Sequence, residues 1–180
     1  TGHDNDGFGT GGKESGDSHK GWHNNYEDAW KDAVAQNKLL FIDFTGVNCT
    51  NCRYNEKSVF VLPHVRSELD KFVKVALYAD KIPNPRISRE EAAKQLAQNQ
   101  AFLDNYGLAM PTYVLLRPAR DAAADGNKPK GEFLGKYEGQ IQNVPAFVQL
   151  LQDALANQPR AAHLRMEDAM AEAAKKKGGS

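Results

Sequence analysis

The sequence predicts an α/β fold built on a mixed central β-sheet with helices on both faces. Three observations carry that reading. Apolar, β-compatible runs alternate with helical ones in the order helix, strand, helix, strand, helix, strand, strand, helix. That order contains one βαβ unit, which calls for parallel strands, and closes on a late hairpin, which calls for antiparallel ones. Finally, the two cysteines fall where the loop after the first strand enters a helix.

Residues 1–20 are rich in Gly, Asp and Ser and hold one aromatic ring, Phe8. Such a stretch buries too little apolar surface to offset the entropy of ordering it, so it reads as a flexible linker or tail, His19 included. The folded domain is expected over 21–157. It opens with a helix capped at Asn24, with Glu27 three residues on and an apolar stripe at Tyr26, Ala29, Trp30, Ala33 and Val34. Trp22, Tyr26 and Trp30 at that spacing read as packing against the sheet rather than as a ligand surface. Lys38–Thr45 is a short buried strand, and Gly46–Asn48 a loop. The cysteine-bearing helix then runs to about Val59 and is ended or kinked by Pro63.

A further helical turn is expected over Val65–Phe72 and a second strand over Phe72–Ala79. Ser88 and Glu91 form a capping box that opens a long polar helix to about Tyr106, closed by Gly107. Thr112–Arg117 is the third strand, Pro118–Lys130 a polar loop, and Glu132–Glu138 a fourth strand. Val144–Ala156 is the clearest amphipathic helix, with Phe147, Val148, Leu151, Ala154 and Leu155 on one face. Residues 158–180 are expected as an Ala-rich helix with a disordered end.

Apolar residues make up 41% and charged ones 26%, the balance of an ordinary globular protein. The 23 basic and 23 acidic side chains cancel, so no nucleic acid or anionic membrane is expected as a partner. No run approaches the roughly 18 apolar residues of a spanning helix, and the first residues lack a signal-peptide layout. Any export signal or anchor is therefore expected to lie outside this sequence, or not to exist.

Cys49-Thr50-Asn51-Cys52 is the one cysteine pair. A structural disulfide gains most by closing a long loop, and this loop is very short, so a redox or metal role is the stronger reading. Zinc wants four ligands, and the others would have to come from His3, His19, His23, His64 and His163, three of them in or near the tail. No metal is expected. Thiols at i and i+3 opening a helix suit thiol–disulfide exchange. The helix N-terminus favours an anion, so Cys49 should ionise below the free-thiol value of about 8.5 and act as nucleophile. Cys52, a turn on, can resolve the mixed disulfide.

Asp43 is an acid in an otherwise apolar strand, six residues before Cys49. Buried there, it could relay a proton to or from the resolving thiol; at a solvated strand end it would do nothing. Met110-Pro111 puts a proline directly before a strand. A cis bond at that point, packed beside the sulfurs, would leave an edge for an extended peptide. Arg53 and Tyr54, just past Cys52, either tune the helix start or decorate it.

These pieces resemble the thioredoxin superfamily: PheIleAspPheThrGly, then CysThrAsnCysArg, then MetProThrTyrValLeuLeu. The run PheThrGlyValAsnCysThrAsnCysArgTyrAsnGlu, the following SerValPhe and Pro-His-Val, LysValAlaLeuTyrAlaAsp, and GlyLysTyrGluGly are most similar to the periplasmic C-terminal domains of the DsbD thiol:disulfide interchange proteins. The resemblance covers roughly 22–156. It implies a thioredoxin-like fold and a protein-disulfide reductase of the bacterial periplasm, free or as the soluble domain of an inner-membrane protein. Electrons would come from a membrane-embedded thiol donor and go to periplasmic protein thiols and disulfides, cytochrome c biogenesis among their uses. It implies a monomer with no cofactor beyond the redox-active disulfide. Cys49, Cys52 and Asp43 would be catalytic; Asn48, Thr50, Asn51, Met110 and Pro111 would meet the substrate. The sequence departs from thioredoxins at Asn48 (usually Trp), at Thr50-Asn51 (usually Gly-Pro), at Ala76 (usually Lys) and in the longer 81–106 connection. A free-standing disulfide oxidant or isomerase and a non-catalytic peptide-binding module are the alternatives.

Overall fold

The protein is described from a computed structural model over residues 19–84 and 86–157. Residues 1–18 of the linker expected over 1–20, and the Ala-rich segment expected over 158–180, lie outside the described residues. Among those residues, β1 (Leu40–Thr45) is central and wholly buried. β2 (Val73–Tyr78) pairs parallel on one side of it, with Asp43 opposite Ala76. β3 (Thr112–Pro118) pairs antiparallel on the other, with Phe44 opposite Thr112. β6 (Gly131–Glu138) completes the order β2-β1-β3-β6 as an edge strand, and its mostly exposed side chains explain its polar composition. The mixed sheet and thioredoxin-like α/β fold expected from the sequence are present.

Side chains alternate across β1, as the pleat requires. Leu40, Ile42 and Phe44 join one core with Tyr26, Ala29 and Ala33 of α1 (Tyr26–Gln36) and Phe102 and Leu103 of α4 (Arg89–Leu103). Phe41 faces the opposite core with Val59, Phe60, Val65 and Leu69, around α2 (Thr50–Ser58) and α3 (Pro63–Leu69), and with Phe147 and Leu151 of α5 (Val144–Ala156). Asp43, two residues on from Phe41, therefore points to the α2 side. No helix among the described residues is long and apolar enough to cross a membrane.

Several boundaries depart from the sequence reading. The cap of α1 is Asn25, whose side chain takes the Asp28 amide at 2.9 Å, rather than Asn24. Pro63 starts α3 rather than ending α2, because its missing N–H falls where a helix has no partner for it. α4 stops at Leu103, well short of Tyr106. The polar loop after β3 contains a small hairpin, β4 (Ala124–Asp125) and β5 (Lys128–Pro129). Ordered structure also begins earlier than the expected residue 21: His19 and Lys20, expected in the tail, belong to the folded part, where His19 contacts Asp43. His23 pairs with the edge of β2 through its N–H to Lys74 C=O and its C=O from Ala76 N–H, each at 2.9 Å. Trp22 stacks on Phe60 and meets Phe41 edge-on.

Candidate redox site

The loop from β1 to α2 places the cysteines. Asp80, at the end of β2, accepts the Val47 amide at 2.9 Å and the Asn48 amide at 3.0 Å, which holds the turn before Cys49. Cys49 is the N-cap of α2, half-buried, and its Sγ accepts the Cys52 N–H at 3.2 Å. Cys52 is 1% exposed. The two sulfurs form a disulfide. Asn48, Thr50 and Asn51 are exposed around it. The site is thus one sulfur at a helix N-terminus that a partner can approach, with the second closed off one turn deeper.

Met110-Pro111 is a cis peptide at the start of β3. Pro111 is buried, and its C=O accepts the Gly139 N–H at 2.8 Å. Pairing of Thr112 with Phe44 sets this turn beside the end of β1. Met110 is half-buried and packs so close to Gly46 that a Cβ there would lie 3.0 Å from the methionine Cε and 2.8 Å from Asp80 Oδ2. Gly46 is what lets the two loops meet. Leu108, just before the cis bond, is 95% exposed.

Behind Cys52 the structure gathers charges that the sequence reading only partly named. Asp43 is 1% exposed, and its Oδ2 lies 3.0 Å from His19 Nε2. Glu56, also buried, lies a turn beyond Cys52; its Oε1 sits 2.9 Å from Arg53 Nη2 and 3.5 Å from His19 Nε2. Burial pushes the Glu56 carboxyl above its ordinary range, against the pull of His19 and Arg53 and with a further push from Asp43. Arg53 also donates to Thr45 Oγ1 and Gly46 C=O, both at 3.1 Å. The donor atoms of His19, Asp43 and Glu56 fall within 4.8 Å of one another. The Arg53 guanidinium faces the glutamate and the His19 imidazole faces the aspartate.

The thioredoxin-like family model matches residues 21–118. The chain belongs to the thioredoxin-like family. It is a thioredoxin-like oxidoreductase with a CxxC disulfide, Cys49–Cys52. Among solved structures it is similar to a thioredoxin from Thermus thermophilus, at 20% identity and TM-score 0.54, over 74% of this chain and 86% of that one. A DsbH oxidoreductase matches at 16% identity and TM-score 0.53, over 75% and 84%. The reduced C-terminal domain of Neisseria meningitidis DsbD matches at 19% identity and TM-score 0.46, over 71% and 92%. At such identities likeness extends to the fold alone. No curated protein matches the chain.

Within this thioredoxin-like site, sequence reasoning named Cys49, Cys52, Asp43, Met110 and Pro111 but missed Asp80, Glu56 and His19. Glu56 carried a usable signal, since it stands at i+4 from Cys52 and so on the same helix face. His19 carried none, because its segment has the composition of a tail.

Proposed function

We propose that this protein is a protein-disulfide reductase in which Cys49 attacks and Cys52 resolves. The observation that carries the proposal is the asymmetry of the pair: Cys49 half-exposed at the cap of α2, Cys52 buried behind it. In the dithiol form the Cys49 thiolate attacks a substrate disulfide and expels one substrate thiolate. Cys52 then loses its proton and attacks Cys49 Sγ, forming the Cys49–Cys52 bond and releasing the second substrate thiolate. Two electrons pass from the dithiol to the substrate. Unpaired N–H groups at the α2 N-terminus favour the Cys49 thiolate. Asp43 takes the Cys52 proton, and Asn48, Thr50, Asn51, Met110 and Pro111 frame the face where an extended substrate lies.

The direction of electron flow, towards reduction, is supported by the resemblance of residues 44–56 to DsbD C-terminal domains. The same likeness supports a periplasmic setting, a membrane-embedded thiol donor, periplasmic thiol proteins as acceptors and a monomeric state, with no cofactor beyond the disulfide. Cys52→Ser is expected to accumulate a covalent adduct with substrate proteins through Cys49, seen on non-reducing gels and lost with dithiothreitol. Adducts formed through Cys52 in Cys49→Ser, and none in Cys52→Ser, would contradict the assignment.

A further inference from the structure

Asp43 needs a partner that the sheet does not supply. Its register neighbour on β2 is Ala76, which offers only a methyl group. The partner comes from the segment ahead of α1. His23 is stitched to the β2 edge, Trp22 lies against Phe60 and Phe41, and the Trp22 N–H bonds back to His19 C=O at 3.0 Å. This strap holds the His19 ring 4.6 Å from the Trp22 ring and sets its Nε2 3.0 Å from Asp43 Oδ2. Of the three side chains in the cluster His19 is the least enclosed, at 7% exposed against 1% for Asp43 and 3% for Glu56. Its Nδ1 and the other oxygen of Asp43 have no protein partner among the described residues.

We propose that His19 is a positioning residue for the exchange reaction, holding the Asp43 carboxylate where it takes the proton of Cys52. This rests on the reading of Cys52 as the resolving thiol. As Cys52 attacks Cys49 Sγ, its proton passes to Asp43, the Cys49–substrate bond breaks, and the departing substrate thiolate takes a proton from water. When the Cys49–Cys52 bond is next reduced, Asp43 can return that proton to the departing Cys52 thiolate, so its carboxyl has to keep its place through both halves of the cycle. His19 faces Asp43 on β1 and Glu56 on α2, and those two acids are faced in turn by Arg53 on α2, Tyr78 on β2 and Tyr113 on β3, with Lys57 acting on Glu56 from outside.

The test uses rapid mixing of the reduced protein with 5,5′-dithiobis(2-nitrobenzoate), which releases one coloured thiolate as Cys49 attacks and a second as Cys52 resolves. His19→Gln keeps a hydrogen-bond donor towards Asp43; His19→Ala removes it. The first phase should be unchanged in both variants, while the second should be about tenfold slower in His19→Ala at neutral pH and restored to within about twofold in His19→Gln. Should His19→Ala fail to fold, His19→Phe, which keeps a ring without a donor, carries the comparison. An unchanged second phase in His19→Ala, or equal slowing in His19→Gln, would overturn the inference. Zinc retained at one per chain by the wild type and lost from His19→Gln would overturn it too, by making the cluster a metal site. A wild type with no first phase would instead sink the thiol-exchange reading itself.

Discussion

At Cys52 the sulfur is enclosed by the helix that leaves Cys49 half-open at its cap, and two acids lie on the enclosed side. Asp43 reaches that place from the centre of the sheet and Glu56 from one turn further along α2. Burial holds the Glu56 carboxyl above its usual range, with His19 and Arg53 pulling it back. An acid whose folded value is raised contributes stability below its unfolded value, about 4.3, and loses it as pH rises through the folded one. Relative to Glu56→Gln, the wild type should therefore lose stability from about pH 4 towards neutrality. Thermal melts of both proteins across that range check this, and a constant difference in Tm would contradict it. The Asp43 role was legible because a charged residue interrupts an apolar strand six positions before Cys49. The His19 contact was not, since nothing in a Gly-, Asp- and Ser-rich stretch shows that its last residues fold back.

α2 is held in place by a residue that takes no part in the chemistry. Asn55 is fully buried and donates to Tyr113 OH at 2.9 Å and to Gly139 C=O at 3.1 Å, while its Oδ1 accepts the Ile141 N–H at 2.8 Å. One amide thus ties the cysteine helix to β3 and to the chain leading into α5. Asn55→Ala would leave the buried Tyr113 OH and Ile141 N–H and the half-buried Gly139 C=O short of a partner, and is expected to destabilise the fold by about 3 kcal/mol. Urea unfolding measures this, and a loss well under about 1 kcal/mol would show that the tie is dispensable. Elements with a clear period or a strong cap, such as α5 and the Ser88 start of α4, were legible in the sequence. Boundaries set by tertiary contacts were not. α4 ends at Leu103, although the helical pattern runs on to Tyr106, which joins the same core as Phe102 and Leu103 from the turn that follows. Pro63 reads equally as a stop or a start until α3 is seen to follow it.

On the scale of the molecule, the fold brings three separate stretches to one end of the sheet: the β1–α2 loop with the cysteines, the end of β2 with Asp80, and the cis turn before β3. The Gly46 approach to Met110 joins the first and third, and Asp80 fixes the first. Their conjunction was legible as a family pattern, because Asp43, the cysteine pair and Pro111 keep the expected order and spacing. The Asp80 contact was not, since an aspartate after a strand commonly opens a solvated loop. The buried face of the cysteine helix carries Cys52, Asn55 and Glu56, and the strap that carries His19 reaches it at Glu56. An exchange centre built this way can run in either direction, and what sets the direction is the potential of the Cys49–Cys52 couple. Equilibration of the purified protein with glutathione and dithiothreitol buffers measures it. A protein-disulfide reductase should come to balance at or below about −200 mV, whereas a value near about −120 mV would mark a disulfide oxidant and contradict the account.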